Sequence, residues 1–204
     1  MQTLINDRRL RRRSIVVMLL CSLVGLSAFG APQTPRAVVE TIIERASKLD
    51  NKSTRAENAR VIESLVDFQK LATDALGDNA KDATPAQRAQ IQDLLRKIIT
   101  KTVYPEAPKF FRDVKIQYTG EEKSTADRTH ITSIVTKGSK RSTVEYWLAP
   151  SPQGNKVVDF AIEGERWVEN VSDQFDEVIA KNGITGLVGK MKKRLEQLEQ
   201  NKKK

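Results

Sequence analysis

Few side chains in this 204-residue sequence could move a proton or bind a metal ion. His130 is the single histidine and Cys21 the single cysteine. His130 lies in a segment with strand periodicity, where we favour an ordinary strand residue over a general acid or base. A zinc site would therefore need carboxylates, and no HExxH, CxxC or clustered Asp-x-Asp pattern occurs. The sequence also lacks GxSxG, P-loop and GxGxxG motifs, which disfavours a hydrolase or a nucleotide-binding enzyme.

Paired carboxylates are the remaining source of acid–base chemistry. They occur at Glu121-Glu122, at Asp173 with Asp176-Glu177, and at Asp159 with Glu163. The first pair falls in a predicted turn and the second on a polar helix face. Asp159 alternates with apolar residues, so we expect it on the opposite side of its strand, exposed or in a salt bridge. The sequence therefore predicts no catalytic residue, no metal site, no cofactor and no enzyme activity.

The first thirty residues have the pattern of a cleaved signal peptide. A basic region, Arg8 to Arg13, precedes an apolar run from Ser14 to Leu26 that is too short for a typical transmembrane helix. Small residues at Ala28 and Gly30 predict cleavage after Gly30. An uncleaved anchor and a twin-arginine signal are the alternatives. We expect export to the periplasm.

The mature chain predicted by this cleavage has no cysteine, because Cys21 lies in the apolar run. Lipidation of Cys21 is disfavoured, because the preceding residue is Leu20. The removed segment contains five arginines and one aspartate, so the net charge falls from +9 to +5. Residues 31–198 suit a single domain, followed by a lysine-rich tail at 199–204. Basic residues cluster near this end. They either form a solvated helix terminus or attract anionic lipid or an acidic partner. Nucleic acid is disfavoured, because aromatic residues are not interleaved with the basic ones.

Hydrophobic periodicity divides the chain into helices, strands and helices. Helical spacing extends from Pro35 to about Phe111, with one segment predicted at 56–75 and a start signal at Thr84-Pro85. From Val114 the period becomes two, and four strands are predicted with turns at 120–121, 137–139 and 150–154. Helical spacing returns from Trp167 to Leu198, with a break at 182–183. One sheet face should carry apolar residues, namely Ile116, Tyr118, Ile134, Val144, Tyr146, Leu148, Val158, Phe160 and Ile162, or most of them.

The element order predicts an α+β fold. Short connections join antiparallel neighbours, which indicates a twisted four-stranded antiparallel meander. The N-terminal and C-terminal helices should cover its apolar face. Composition alone does not distinguish a filled core from a hollow one.

Two stretches of the sequence resemble the MlaC family, also called toluene-tolerance auxiliary or organic-solvent-tolerance proteins. The N-terminal stretch comprises Val66-Asp67-Phe68-Gln69-Lys70-Leu71-Ala72, Leu76-Gly77 and Ala83-Thr84-Pro85-Ala86-Gln87-Arg88. The C-terminal stretch comprises Val157-Val158-Asp159-Phe160, Ile162-Glu163-Gly164, Val168-Glu169-Asn170, Gln174-Phe175 and Asn182-Gly183-Ile184-Thr185-Gly186-Leu187. The similarity covers residues 35–198. Ala80, Arg166-Trp167 and Val171 depart from the family pattern, which affects the expected pocket and partner surface more than the fold.

The resemblance implies a periplasmic phospholipid carrier with a lipid cavity between sheet and helices. Such a carrier moves lipid between an outer-membrane lipoprotein complex and an inner-membrane ABC transporter with an MCE-domain subunit, and a shuttle of this kind is most simply a monomer. Phospholipid is then the transported ligand, and outer-membrane lipid asymmetry is the process served. The residues expected to line the cavity or its rim are Phe68, Leu71, Leu95, Ile98, Tyr104, Val114, Ile116, Tyr118, Ile134, Tyr146, Phe160 and Trp167. The three tyrosines could place hydroxyls at its mouth.

The main alternative is an exported, non-catalytic interaction module with a solid core. It predicts a stable protein partner and no bound ligand, whereas the carrier predicts bound phospholipid and no turnover. A hydrolase on an open sheet would need a catalytic constellation that this sequence does not provide.

Overall fold

The computed structural model describes residues 34–125 and 127–200. The predicted signal peptide at residues 1–30 lies outside the described residues. The same holds for 201–204, the last part of the predicted lysine-rich tail, whereas residues 199 and 200 belong to the final helix.

Helices form the first part of the described chain, as the periodicity predicts. Thr84 and Gln87 form a capping box in which each side chain accepts a hydrogen bond from the other residue's backbone N–H. This box starts the longest of these helices. The helices are α1 (Pro35–Ser47), α2 (Arg55–Leu65), α3 (Phe68–Leu76), α4 (Pro85–Val103) and α5 (Ala107–Phe111), with a 3₁₀ turn at Gly77–Lys81.

The single helix predicted at residues 56–75 is wrong, because the structure divides it at Val66. Val66 has an extended backbone and forms an isolated parallel bridge with Val157. The Asp67 N–H donates to the Val157 carbonyl at 2.9 Å, and the Asp67 side chain accepts from the Lys70 N–H at 2.8 Å. A contact to a residue 91 positions away along the chain thus ends α2, and Asp67 caps α3.

The sheet is an antiparallel meander in the order β1-β2-β3-β4-β5. It has one short strand more than predicted, and the fold class is confirmed. The predicted turn at 120–121 is wrong, since β1 continues through it with an irregularity between Tyr118 and Gly120. Glu121 and Glu122 are therefore strand residues. The strands are β1 (Lys115–Thr125), β2 (Arg128–Lys137), β3 (Lys140–Ser151), β4 (Gly154–Ile162) and β5 (Glu165–Arg166).

One face of the sheet packs on α1. Ile131, Leu148 and Val157 form a buried cluster with Val38 and Val39 of that helix. The expected apolar face is correct for most residues but wrong for Ile134. Its partners across the ladder are Gln117 and Thr143, on the face opposite to that of Ile131, because β2 alternates without interruption.

Helices α3, α4 and α6 (Trp167–Gln200) form a second apolar cluster, in which α4 packs along α6 and α3 packs against both. Helices α2 and α5 pack with α1 in a third cluster. The long helix α6 is interrupted at Gly183, where φ is 65° and ψ is 179°. This conformation is almost confined to glycine. The break agrees with the one predicted at residues 182–183, and it lets residues 167–182 and 184–200 pack against the same neighbours.

Candidate functional site

The described residues form a cavity of about 400 Å³ in the helical layer. We call it the α4–α6 cavity. Its walls come from the C-terminal half of α4 and from both parts of α6. The Gly183 break therefore shapes the cavity, because an unbroken helix could not present both segments to one space. The apolar lining residues are Leu95, Ile98, Ile99, Val103, Trp167, Val171, Phe175, Val178, Leu187 and Met191.

Four polar residues complete the lining of the α4–α6 cavity. The Thr102 hydroxyl donates to the Ile98 carbonyl at 2.8 Å, and the Gln174 amide donates to the Asn170 carbonyl at 3.0 Å. Lys190 and Arg194 are exposed cations. No carboxylate lines this cavity. The arrangement combines a long apolar wall with positive charge at its edge, which suits a ligand with an apolar body and a polar or anionic end.

A second concavity of about 330 Å³ lies between α1, α5 and β1, and we call it the α1–β1 groove. It is more open to solvent than the α4–α6 cavity. Its charged residues are Glu40 and Glu44, which form ion pairs with Arg36 at 2.8 Å and Lys48 at 2.6 Å. The groove lies where sheet meets helix, which is where the family resemblance implies a cavity, but its charged lining is acidic.

The twelve residues predicted to line a cavity are distributed over several places. Leu95, Ile98 and Trp167 line the α4–α6 cavity. Val114, Ile116 and Tyr118 line the α1–β1 groove. The six other residues line neither concavity. Phe68 and Leu71 are buried with α3 in the helical cluster, and Tyr104 and Tyr146 pack on the clusters around α1. Phe160 stacks on Trp167 with ring centroids 6.1 Å apart, and Ile134 lies on the other sheet face.

The stacking of Phe160 on Trp167 connects the sheet to the α4–α6 cavity, since one ring belongs to β4 and the other lines the cavity. Sequence reasoning missed several lining residues, among them Val171, Val178 and Met191. The signal available was an apolar stripe on each side of the break predicted at residues 182–183.

The three tyrosines do not share one cavity mouth. Burial raises the pKa of Tyr118 to about 12, and it also raises the pKa values of Tyr104 and Tyr146 above the ordinary value. The Ser133 side chain lies beside Tyr146 and lowers its pKa, which partly offsets the effect of burial. The Tyr104 hydroxyl is buried, and no described residue bonds to it. Neutral hydroxyls in these positions support packing rather than proton transfer.

The sheet face opposite α1 carries an ordered stack that the sequence did not reveal. The His130 ring lies parallel to Trp147 with centroids 4.8 Å apart, and the Arg166 guanidinium lies 4.6 Å from the same Trp147 ring. His130 Nδ1 and Nε2 lie 3.3 and 2.9 Å from carboxylate oxygens of Glu122 and Glu145. These contacts join β1, β2, β3 and β5. His130 is therefore an ordinary strand residue that connects neighbouring strands, as expected.

Arg166 also completes the environment of Asp159. The carboxylate is 1% exposed and accepts from Arg166 Nε at 2.8 Å, from the Phe160 N–H at 2.8 Å and from the Val168 N–H at 3.1 Å. Asp159 thus lies in a salt bridge on the predicted side of its strand. It also satisfies a backbone donor in the first turn of α6. Arg166, which departs from the family pattern, therefore has a structural role here.

Two kinds of site are absent from the described ranges. Residues 34–125 and 127–200 contain no cluster of three or more His, Cys, Asp or Glu side chains that could hold a metal ion. Within the same ranges, no helix combines the length and apolar character needed to cross a bilayer.

Comparisons with known proteins identify related sequences and folds. The family model described as MlaC protein matches residues 33–193. No curated protein matches the chain. Among the solved structures, a phospholipid-binding protein from Ralstonia solanacearum in complex with a phospholipid has a TM-score of 0.68 at 24% sequence identity. The match covers 80% of this chain and 96% of that chain.

Proposed function

The chain belongs to the MlaC family, and on this premise we propose that it binds one phospholipid and carries it between membranes. The observation that carries the proposal is the α4–α6 cavity, with apolar residues along its walls and two cations at its edge. The phospholipid bound by the structurally similar Ralstonia solanacearum protein supports the same ligand.

The hydrophobic effect supplies the reason for enclosing the acyl chains. Each CH₂ group removed from water contributes about 0.8 kcal/mol, so two long chains would be strongly disfavoured in solution without a protein around them. Aliphatic and aromatic walls provide this environment without fixed polar contacts. Release to a membrane or a partner then requires no exchange of specific hydrogen bonds.

We propose that the α4–α6 cavity expands when it binds lipid. About 400 Å³ lies at the lower end of the range for small-molecule pockets, and a phospholipid has two acyl chains. We propose that the two parts of α6 separate around Gly183 to admit both chains. Val178 and Leu187, on opposite sides of Gly183 in the sequence, both line the cavity and are partly buried and buried respectively.

The route of the lipid follows from the family rather than from the site. We propose that the signal peptide predicted at residues 1–30 directs export to the periplasm. There the protein would exchange lipid with an outer-membrane lipoprotein complex and with an inner-membrane ABC transporter that carries an MCE-domain subunit, and so maintain outer-membrane lipid asymmetry. It would act without turnover of its ligand and as a monomer.

Native mass spectrometry tests the binding proposal directly. The exported protein is purified without detergent, and any bound molecule is extracted and identified. We expect about one phospholipid per chain. A folded protein that carries no lipid and takes none from vesicles would overturn the carrier and favour the exported interaction module.

A pair of cavity-filling substitutions distinguishes the two concavities. Ile98→Trp fills the α4–α6 cavity, and Ile43→Trp fills the α1–β1 groove. We expect Ile98→Trp to abolish lipid uptake from vesicles and Ile43→Trp to retain it, with both variants folded by circular dichroism. The opposite result would place the lipid in the α1–β1 groove, between sheet and helix.

A further inference from the structure

The positive edge of the α4–α6 cavity consists of Lys190 and Arg194. Their four-residue spacing places them on the same face of α6, one turn apart. Two like charges at this spacing repel each other in the unliganded protein. An anion placed between them would remove this repulsion.

These two cations differ from the basic residues of the helix opposite. On α4, Arg96 bonds to Glu63 at 2.9 Å and to Asp93 at 3.0 Å, and Lys97 contacts Asp93 at 2.6 Å. Within the described part of the chain, neither Lys190 nor Arg194 has a carboxylate within ion-pair distance. Their charge is therefore available to a ligand.

The other polar groups of the cavity lining do not compete for this role. The Thr102 and Gln174 side chains already donate to backbone carbonyls of α4 and α6. Since the lining also lacks a carboxylate, its only charges are positive. An amphiphile with a negative group next to its acyl chains matches this lining, and phosphate has that charge and position in a phospholipid.

We propose that Lys190 and Arg194 bind the phosphate group of the lipid whose acyl chains occupy the α4–α6 cavity. They thereby favour phospholipid over a lipid with the same chains and no phosphate. This inference rests on the proposed function, because it assumes acyl chains in this cavity. Lys190 and Arg194 are specificity residues, and they take no part in any covalent step.

Two lipids that differ only in the phosphate provide the test. Binding of phosphatidic acid and of diacylglycerol with identical acyl chains is measured by displacement of a fluorescent fatty acid from purified, lipid-free protein. We expect the double variant Lys190→Gln/Arg194→Gln to bind phosphatidic acid about tenfold more weakly, as for two solvent-exposed ion pairs. Its affinity for diacylglycerol should remain unchanged. Lys190→Arg, which keeps the charge, should bind phosphatidic acid as the parent protein does.

The matched control is Lys192→Gln/Lys193→Gln. These lysines belong to the same helix, and their substitution removes the same charge. They are exposed and do not line the cavity. Equal weakening by this control would overturn the proposal in favour of a general electrostatic effect. Equal weakening of both lipids by Lys190→Gln/Arg194→Gln, or no weakening of either, would overturn it while leaving the carrier function intact.

Two further outcomes would overturn the proposal for other reasons. Inorganic phosphate that displaces phosphatidic acid at equal concentration would show a site for free phosphate, and so overturn the assignment to lipid. A parent protein that binds neither lipid would overturn the proposed function together with this inference. Thermal unfolding of each variant checks that a loss of binding does not reflect a loss of fold.

Discussion

At the scale of single residues, the Tyr104 hydroxyl is an uncommon feature, because it is buried without a described hydrogen-bond partner. A buried polar group in this state costs about 1–3 kcal/mol. Tyr104→Phe removes the hydroxyl and keeps the ring, so we expect the free energy of unfolding to stay constant or to rise by about 1 kcal/mol. Urea unfolding measures this change.

Tyr146→Phe is the matched comparison, because the polar side chain of Ser133 lies beside the Tyr146 hydroxyl. The Ser133 side chain is fully buried. We expect this variant to lose about 1 kcal/mol of stability. Equal effects of the two substitutions would contradict the assignment of Tyr104 as unpartnered.

The tyrosines also predict how stability depends on alkaline pH. All three have raised pKa values, chiefly because burial disfavours the charged phenolate, with the pKa of Tyr118 at about 12. In the unfolded chain the ordinary pKa is 10.0. Their contribution to stability is therefore complete below pH 10 and decreases as the pH rises from 10 towards 12. Ultraviolet absorbance of tyrosinate should stay low in the native protein at pH 10 and appear together with unfolding above it.

Urea-unfolded protein is the reference for this titration, and its tyrosines should ionise near pH 10. Because the chain has three tyrosines, the signal reports on these residues alone. Native tyrosines that titrate near pH 10 would show that the hydroxyls are exposed to solvent.

Asp159 shows how far a single residue could be predicted. Alternation with apolar neighbours gave the correct side of the strand, and a salt bridge was one of the two environments expected there. Its nearly complete burial could not be read from the sequence, since this depends on Arg166 and on the start of α6 closing over it.

At the scale of secondary-structure elements, the break in α6 depends on one glycine. An alanine Cβ at Gly183 would meet no atom within 4 Å, so the cost of Gly183→Ala arises from the backbone conformation alone. We expect a loss of about 1–3 kcal/mol, measured by urea unfolding. Lipid uptake should fall as well, because both sides of the break line the cavity.

Gly189→Ala is the control for this substitution. Gly189 lies in the same helix with an ordinary φ, and an added Cβ there also meets no atom within 4 Å. Alanine is favoured over glycine inside a helix, so stability should stay constant or increase by up to about 1 kcal/mol. A loss as large as that of Gly183→Ala would contradict the special role of Gly183.

The helix start at Thr84 had a local signal and was predicted correctly, whereas the division between α2 and α3 has a distant cause and was not predicted. The start signal at Thr84-Pro85 depends on neighbouring residues, and the structure has a capping box there. The division between α2 and α3 depends on Val157, which the local periodicity of residues 56–75 does not contain. Ile134 was misplaced because three apolar residues in β2, Ile131, Ile134 and Val135, do not fit one alternation.

At the scale of the whole molecule, a carrier should gain stability from its ligand. Free lipid at about 100 times Kd would add about 2.7 kcal/mol, which corresponds to about 5–10 °C in Tm for a domain of this size. We expect lipid-free protein to unfold at a lower temperature than lipid-loaded protein. Differential scanning calorimetry measures the difference, and Ile98→Trp should abolish it.

The architecture of the molecule was more predictable from the sequence than the position of its cavity. The order of helices, strands and helices gave the α+β fold, and the resemblance gave the family. The larger cavity lies between α4 and α6 because Gly183 brings two parts of one helix together, a consequence of a single backbone conformation that hydrophobic periodicity does not encode.

The position of α6 along the chain also determines when the cavity can exist. Ribosomes make proteins from the N-terminus, so α3, α4 and the sheet are all synthesised before α6, which supplies two of the three segments around the cavity. The meander can pair through local contacts, whereas the helical cluster requires contacts across about a hundred residues, which form slowly. Loss of α6 by proteolysis or premature termination would therefore yield a chain with a complete meander that lacks two of the three segments around the cavity.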